Sequence, residues 1–135
     1  MKFVSIRIIT KEIQRLVGFY QRITGITPKW YTEDFAELAT PASTLAIASE
    51  RTMQQFAAGA ARAAANHSVI IELLVADVDA TYREIASFLG EPPLQAPTTM
   101  PWGNRSLLFR DPDGNLVNLF TPVTEAAIQK FTRHA

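Results

Sequence analysis

The stretch PWGNRSLLFRDPDGNLVNLF, residues 101–120, is the most sharply written part of the chain. Asp111, Pro112, Asp113 and Gly114 put a turn former at each place one is needed: Asp to bond nearby backbone, Pro with φ preset, Gly for a left-handed residue. The runs on either side, SLLF and NLVNLF, are apolar and β-compatible, which predicts two paired strands joined by a short bulged turn.

Outward from this hairpin, the chain reads as one order of elements used twice. KFVSIRII is a β-branched run. Thr10 follows as a helix cap, with Ile13, Leu16, Val17 and Tyr20 at helical spacing and Gly25 as the stop. Three short β-like runs come next, PKWYT, FAELAT and STLAIAS. The second half repeats this: SVIIELLV as a strand, Asp77 or Asp79 capping a helix that carries Val78, Tyr82, Ile85 and Leu89, Gly90 ending it, then PLQAPTT, RSLLF and NLVNLF. The expected fold class is therefore α+β, two βαβββ modules at about 1–50 and 67–121 within one domain spanning 1–135. Residues 51–66 are Ala-rich with Gly59 inside and read as a linker. Pro122 and Thr124 are start signals for a C-terminal helix over 122–135.

Composition narrows the function. The chain has 135 residues, of which 47% are hydrophobic, enough for one core. Thirteen basic and thirteen acidic residues cancel, and no basic cluster is interleaved with aromatics, so neither nucleic acid nor an anionic membrane is an expected partner. Zero cysteines remove thiolate metal sites and thiol catalysis. The start MKFVSIRIIT is too short and too interrupted by Arg7 for a signal peptide, and no apolar run reaches the ~20 residues of a membrane span; a cytoplasmic protein is expected. With no Cys and both histidines poorly placed, no nucleophile has an obvious base, and no phosphate-binding glycine pattern is present.

The paired βαβββ order, the helix ending LVGFYQRITG, VADVDATYREI, and PWGNR leading into FRDPDGN together resemble the vicinal oxygen chelate superfamily, which comprises the glyoxalases, bleomycin-resistance proteins and extradiol dioxygenases. The similarity is strongest to the bleomycin-resistance-like branch. It implies that the two curved sheets form a cup holding either a divalent metal or an organic ligand. Metal-dependent members place His on the first strand, His on the first strand of the second module, and Glu on the strand after the DPDGN turn. Alternation puts Phe3, Ser5 and Arg7 on the cup face of the first strand and Val4, Ile6 and Ile8 on the helix face. In the second module the cup positions are Ile70, Glu72 and Leu74, and Asn118 stands at the Glu position. Phe3, Ser5 and Asn118 are poor transition-metal ligands, so neither a metal nor another cofactor is expected.

What the resemblance then implies is a protein that binds a small organic molecule without chemistry, in the manner of antibiotic sequestration, as a homodimer. Trp30 and Trp102 each sit among turn or polar residues, where an aromatic lines a cleft as readily as it fills a core. The expected ligand-binding set is Trp30, Tyr31, Phe35, Phe56 and Trp102 for stacking, with Ser5, Arg7, Glu72, Asn104, Arg105 and Asn118 for polar contacts. Glu72, a charge within an aliphatic run, either faces a wet cup or pairs with a base such as Arg7 or Arg105. The rival reading is a metal-dependent lyase, isomerase or dioxygenase drawing ligands from Glu37, His67 and Glu72. Asp111, Asp113 and Asn115 mimic the opening of a calcium loop, but the later positions Leu116 and Pro122 do not continue it.

Overall fold

The computed structural model describes residues 1–132; His134, one of the two histidines of the chain, lies outside them. Two compact units divide the chain, one formed by Met1–Asn66 with Pro112–Gly114, the other by His67–Asp111 and the residues from Asn115 onward.

In the first unit, β1 (Ser5–Thr10), α1 (Ile13–Thr24), β2 (Lys29–Thr32), β3 (Phe35–Ala39) and β4 (Thr44–Ser49) build a four-stranded sheet in the order β1-β4-β3-β2. β1 runs parallel to β4 and the other neighbours are antiparallel. Leu16, Val17 and Tyr20 of α1 recur at helical spacing and are buried, as are Ala36, Leu38 and Ile47 on one face of the sheet. α1 lies against β3 and β4, and burial of each large aliphatic side chain there contributes roughly 1.5–3 kcal/mol. Gly25 ends α1 in the left-handed conformation, its N–H bonded to the Gln21 carbonyl.

The second unit repeats the order with β5 (Ile70–Leu74), α3 (Val78–Leu89), β6 (Gln95–Thr99), β7 (Asn104–Arg110) and β8 (Leu116–Pro122), arranged β5-β8-β7-β6. Asp77 caps α3, its side chain accepting from the Ala80 N–H at 3.2 Å. Val78 and Ile85 of α3 are buried, as are Leu107, Phe109, Val117 and Leu119 at alternate positions of β7 and β8. The opening hairpin forms as expected. The Asp111 carboxylate accepts from the Asn115 N–H (2.9 Å) and from the Asn115 side-chain amide (2.8 Å), and Gly114 takes a φ of 84°.

Three local expectations change. Thr10 is not a helix cap: it is the fully buried last residue of β1, and Glu12 precedes the helix without a side-chain cap bond. The span 51–66 is not wholly linker, because Glu50–Gln55 form a short helix, α2. Its Arg51 grips Asp34 in the β2–β3 turn at 2.6 Å and 2.9 Å, and Ser49 donates to the same carboxylate at 2.7 Å. Pro122 starts no helix. It closes β8 opposite Asn104, a strand-end position where its missing N–H breaks no ladder bond. The last helix, α4, covers Glu125–Thr132.

Candidate functional site

Alternation along the second sheet separates its two faces. Ile71, Leu107, Phe109, Val117 and Leu119 share the face whose core residues are buried with α3. The opposite face carries Glu72 from β5, Asn118 from β8, and Asn104 and Ser106 from β7, with Leu108 and Phe120 between them. Glu72 stands in register with Asn118 across the parallel β5–β8 pair, and the Asn118 Nδ2 donates to Glu72 Oε2 at 2.8 Å. Glu72 is exposed, whereas Asn118 and Ser106 retain only 8% and 3% of their exposure. Asn118 Oδ1, Ser106 Oγ and Asn104 Oδ1 are all buried without a hydrogen-bond partner. Leaving such a group unmet costs about 1–3 kcal/mol, and an accumulation of unmet groups on one face is the kind of feature that marks a site rather than a core.

Arg105, expected on this face, is on the other one. Its guanidinium clasps Asp79 in the first turn of α3 through Nε (2.8 Å) and Nη2 (3.1 Å). The bond from Arg105 holds the Asp79 carboxyl below its ordinary value and raises that of the guanidinium in turn. The partner of Glu72 is thus the Asn118 amide. Ser106 was missed in the sequence; sharing the parity of Asn104 two residues away was the signal that could have found it.

Trp102 stands in the turn between β6 and β7 and is 65% exposed. Gly103 beside it has a φ of 96°, and its carbonyl accepts from Val123 N–H (2.8 Å) and Thr124 N–H (3.3 Å) at the approach to α4. A Cβ there would run into Thr124. The exposed tryptophan therefore rides on a turn with a fixed backbone.

In the first unit, Ser5 and Arg7 of β1 fall in register with Thr44 and Ala46 of β4, on the same face as Phe35 and Glu37 of β3. Arg7 is exposed and Ser5 half-buried. The Tyr31 ring meets Phe35 edge-on at 5.8 Å, and Lys29 Nζ lies 4.9 Å from the centre of the Tyr31 ring. Trp30 does not join them. It pairs with the fully buried Ala36, and a bulge between Trp30 and Thr32 interrupts the alternation. Trp30 thus takes the α1 side, where an open hollow of about 350 Å³ is lined by Gln14, Trp30, Tyr31, Thr32 and Glu33. Phe56 follows α2, belongs to neither sheet and is 72% exposed.

The donor set does not suit a transition metal. Among the described residues no three His, Cys, Asp or Glu side chains gather as a metal-binding group. Glu72 is the single carboxylate of the polar row and is already bonded by an amide; His67 precedes β5. No helix among the described residues is long and apolar enough to cross a membrane.

Two like-ordered βαβββ units, the second with a polar row on the sheet face away from α3, define the class of fold. The model of the Glyoxalase/Bleomycin resistance protein/Dioxygenase superfamily matches residues 2–119, and the chain belongs to that superfamily. Uncharacterized protein YraH of Bacillus subtilis (strain 168) is 23% identical over 125 residues, spanning 89% of this chain and 98% of that protein. A glyoxalase/bleomycin resistance protein/dioxygenase from Nocardioides superposes with a TM-score of 0.73 at 18% identity, over 93% of this chain and 85% of that one. A protein of unknown function from Agrobacterium tumefaciens str. C58 superposes with a TM-score of 0.75 at 23% identity, over 90% and 94%. At these identities the structural likeness speaks for the fold alone.

Proposed function

We propose that this chain is a metal-independent small-molecule binding protein of the superfamily, a cytoplasmic homodimer that holds an organic ligand reversibly, with sequestration of an antibiotic as its physiological form. The observation that carries the reading is the polar row of the second sheet. Where the resemblance leads one to look for a metal-ligating carboxylate, the chain has Asn118, an amide with little affinity for a transition metal, and its own carbonyl, with Ser106 Oγ and Asn104 Oδ1 on the same face, waits for a partner. Such groups fix the orientation of a ligand, while aromatic surface provides affinity through burial. Trp102 is the aromatic candidate of the second unit; in the first unit, taken by itself, the Tyr31–Phe35 pair, Ser5 and Arg7 are the candidates.

The chain has two tryptophans, Trp30 and Trp102, both solvent-accessible, so a bound polycyclic molecule should report itself. Protein purified without chelator is screened by tryptophan quenching against neutral polycyclic compounds, with its metal content measured in parallel. Saturable quenching by metal-free protein is expected. One equivalent of tightly held nickel, zinc, iron or manganese would overturn the reading in favour of a metalloenzyme.

A further inference from the structure

We infer that the ligand taken by the polar face of the second sheet carries a protonated amine, the ammonium meeting Glu72 and a further N–H of the ligand meeting the Asn118 carbonyl. The inference rests on the binding reading above and adds the chemical class of the ligand. Its basis is the inventory of unmet groups. Glu72 is exposed and its carboxylate accepts a single hydrogen bond, from a neutral amide; it takes part in no ion pair among the described residues. Asn118 has given one N–H to Glu72, and its carbonyl oxygen has no partner. Asn104 Oδ1 is a second acceptor in the same condition, and Ser106 can accept as well as donate. The row is therefore rich in acceptors and bears net negative charge.

The bases of this sheet do not alter that balance. Arg105 is on the opposite face and bound to Asp79. Arg110 shares the face, but it stands at the hairpin end opposite Leu116, two strands from Glu72, and has an interaction of its own. A carboxylate or phosphate ligand would meet acceptors and a like charge. An ammonium finds a carboxylate, and charge-assisted hydrogen bonds of this kind are about twice as strong as neutral ones.

The row also shows how recognition can proceed inward. Exposure falls from Glu72 to Asn118 to Ser106, so Glu72 is the solvent end. Asn118 Oδ1 is shut away while the amide points its nitrogen at Glu72. When an ammonium occupies the carboxylate, that hydrogen bond is no longer needed, and rotation about the terminal torsion, which has a broad two-fold profile, brings the carbonyl round to the ligand. Asn118 thus holds Glu72 in place when the site is empty and reads a donor when it is filled.

The test uses three probes of nearly equal size, benzylamine, benzyl alcohol and sodium benzoate, titrated into metal-free protein at neutral pH and followed by calorimetry and by NMR shifts. Benzylamine is expected to bind roughly tenfold or more tightly than benzyl alcohol, and benzoate more weakly than either. Glu72→Gln keeps the side chain's shape and its bond from Asn118, and should erase the preference, bringing benzylamine down to the affinity of benzyl alcohol. Equal binding of the three probes, or a preference for the amine that survives Glu72→Gln, overturns the inference and leaves the binding reading standing. Failure of all three to bind also overturns it, and the quenching screen with neutral polycyclic compounds then decides the binding reading separately.

Discussion

Asn118 donates to Glu72 at 2.8 Å across a parallel strand pair, and its carbonyl oxygen on the same amide has no partner. One half of the amide is committed to a neighbour on the sheet. The other half is buried and idle, an arrangement that lowers stability and is retained where a ligand can use it.

Ser106 offers the cleanest test of that idea. Its hydroxyl is buried and unbonded, so Ser106→Ala removes a desolvated group and no hydrogen bond. Chemical denaturation should show the variant equal to the parent or more stable, by up to ~1 kcal/mol. A loss of more than about 1 kcal/mol would assign the hydroxyl a structural bond instead.

The turn that carries Trp102 depends on Gly103. With a φ of 96° and Thr124 in the way of any Cβ, Gly103→Ala combines backbone strain with a clash, and should cost about 2–4 kcal/mol and disturb α4. Gly114→Ala, at a φ of 84° with open space around it, should cost about 1 kcal/mol. Equal losses in thermal unfolding would show that α4 is not held by this contact.

The sequence made the repeated order of elements readable because each helix has a clear apolar stripe and a glycine stop. Strand faces were readable where core residues alternate cleanly, as with Leu107 and Phe109, and the same alternation assigns Arg105 to the helix side once β7 is taken to start at Asn104. Trp30 and Tyr31 were harder to place. Trp30 pairs regularly with Ala36, while the bulge that follows leaves Tyr31 without a Cα partner; it is set by how β2 fits β3, and no letter in KWYT encodes it. Thr10 illustrates the reverse error: its residue type suits a cap, but β1 extends through it and its buried hydroxyl makes no hydrogen bond. The polar row was half visible: Glu72, Asn104 and Asn118 stand out as polar residues in apolar runs, while their pairing depends on strand order.

Acid should weaken the second unit through Asp79. Hydrogen bonding from Arg105 holds this carboxyl below its ordinary value of 3.8. A depressed folded-state value means that the ion pair's contribution is complete above the ordinary value and is lost as pH falls through the lower folded one. Asp79→Asn should therefore unfold with a flatter acid limb below about pH 4 than the parent. Identical limbs in the two proteins would show that the exposed pair does not contribute.

Assembly can be tested by light scattering. β1 and β5 are edge strands of their sheets, and each displays exposed apolar residues at or beside it: Phe3, Val4 and Ile6 for the first, Val69, Ile70 and Leu74 for the second. Edges and apolar surface of this kind are commonly covered by a two-fold partner. The expected mass is about twice the 15.0 kDa of the chain. A monomer at all concentrations contradicts the homodimer.

The central claim, ligand binding without a resident metal, is tested most directly by titrating one quenching polycyclic ligand into chelator-treated protein and repeating the titration after adding nickel, zinc, iron or manganese. Equal saturable binding in every titration is the predicted result. Binding that appears only after one of the metals is restored would contradict the account.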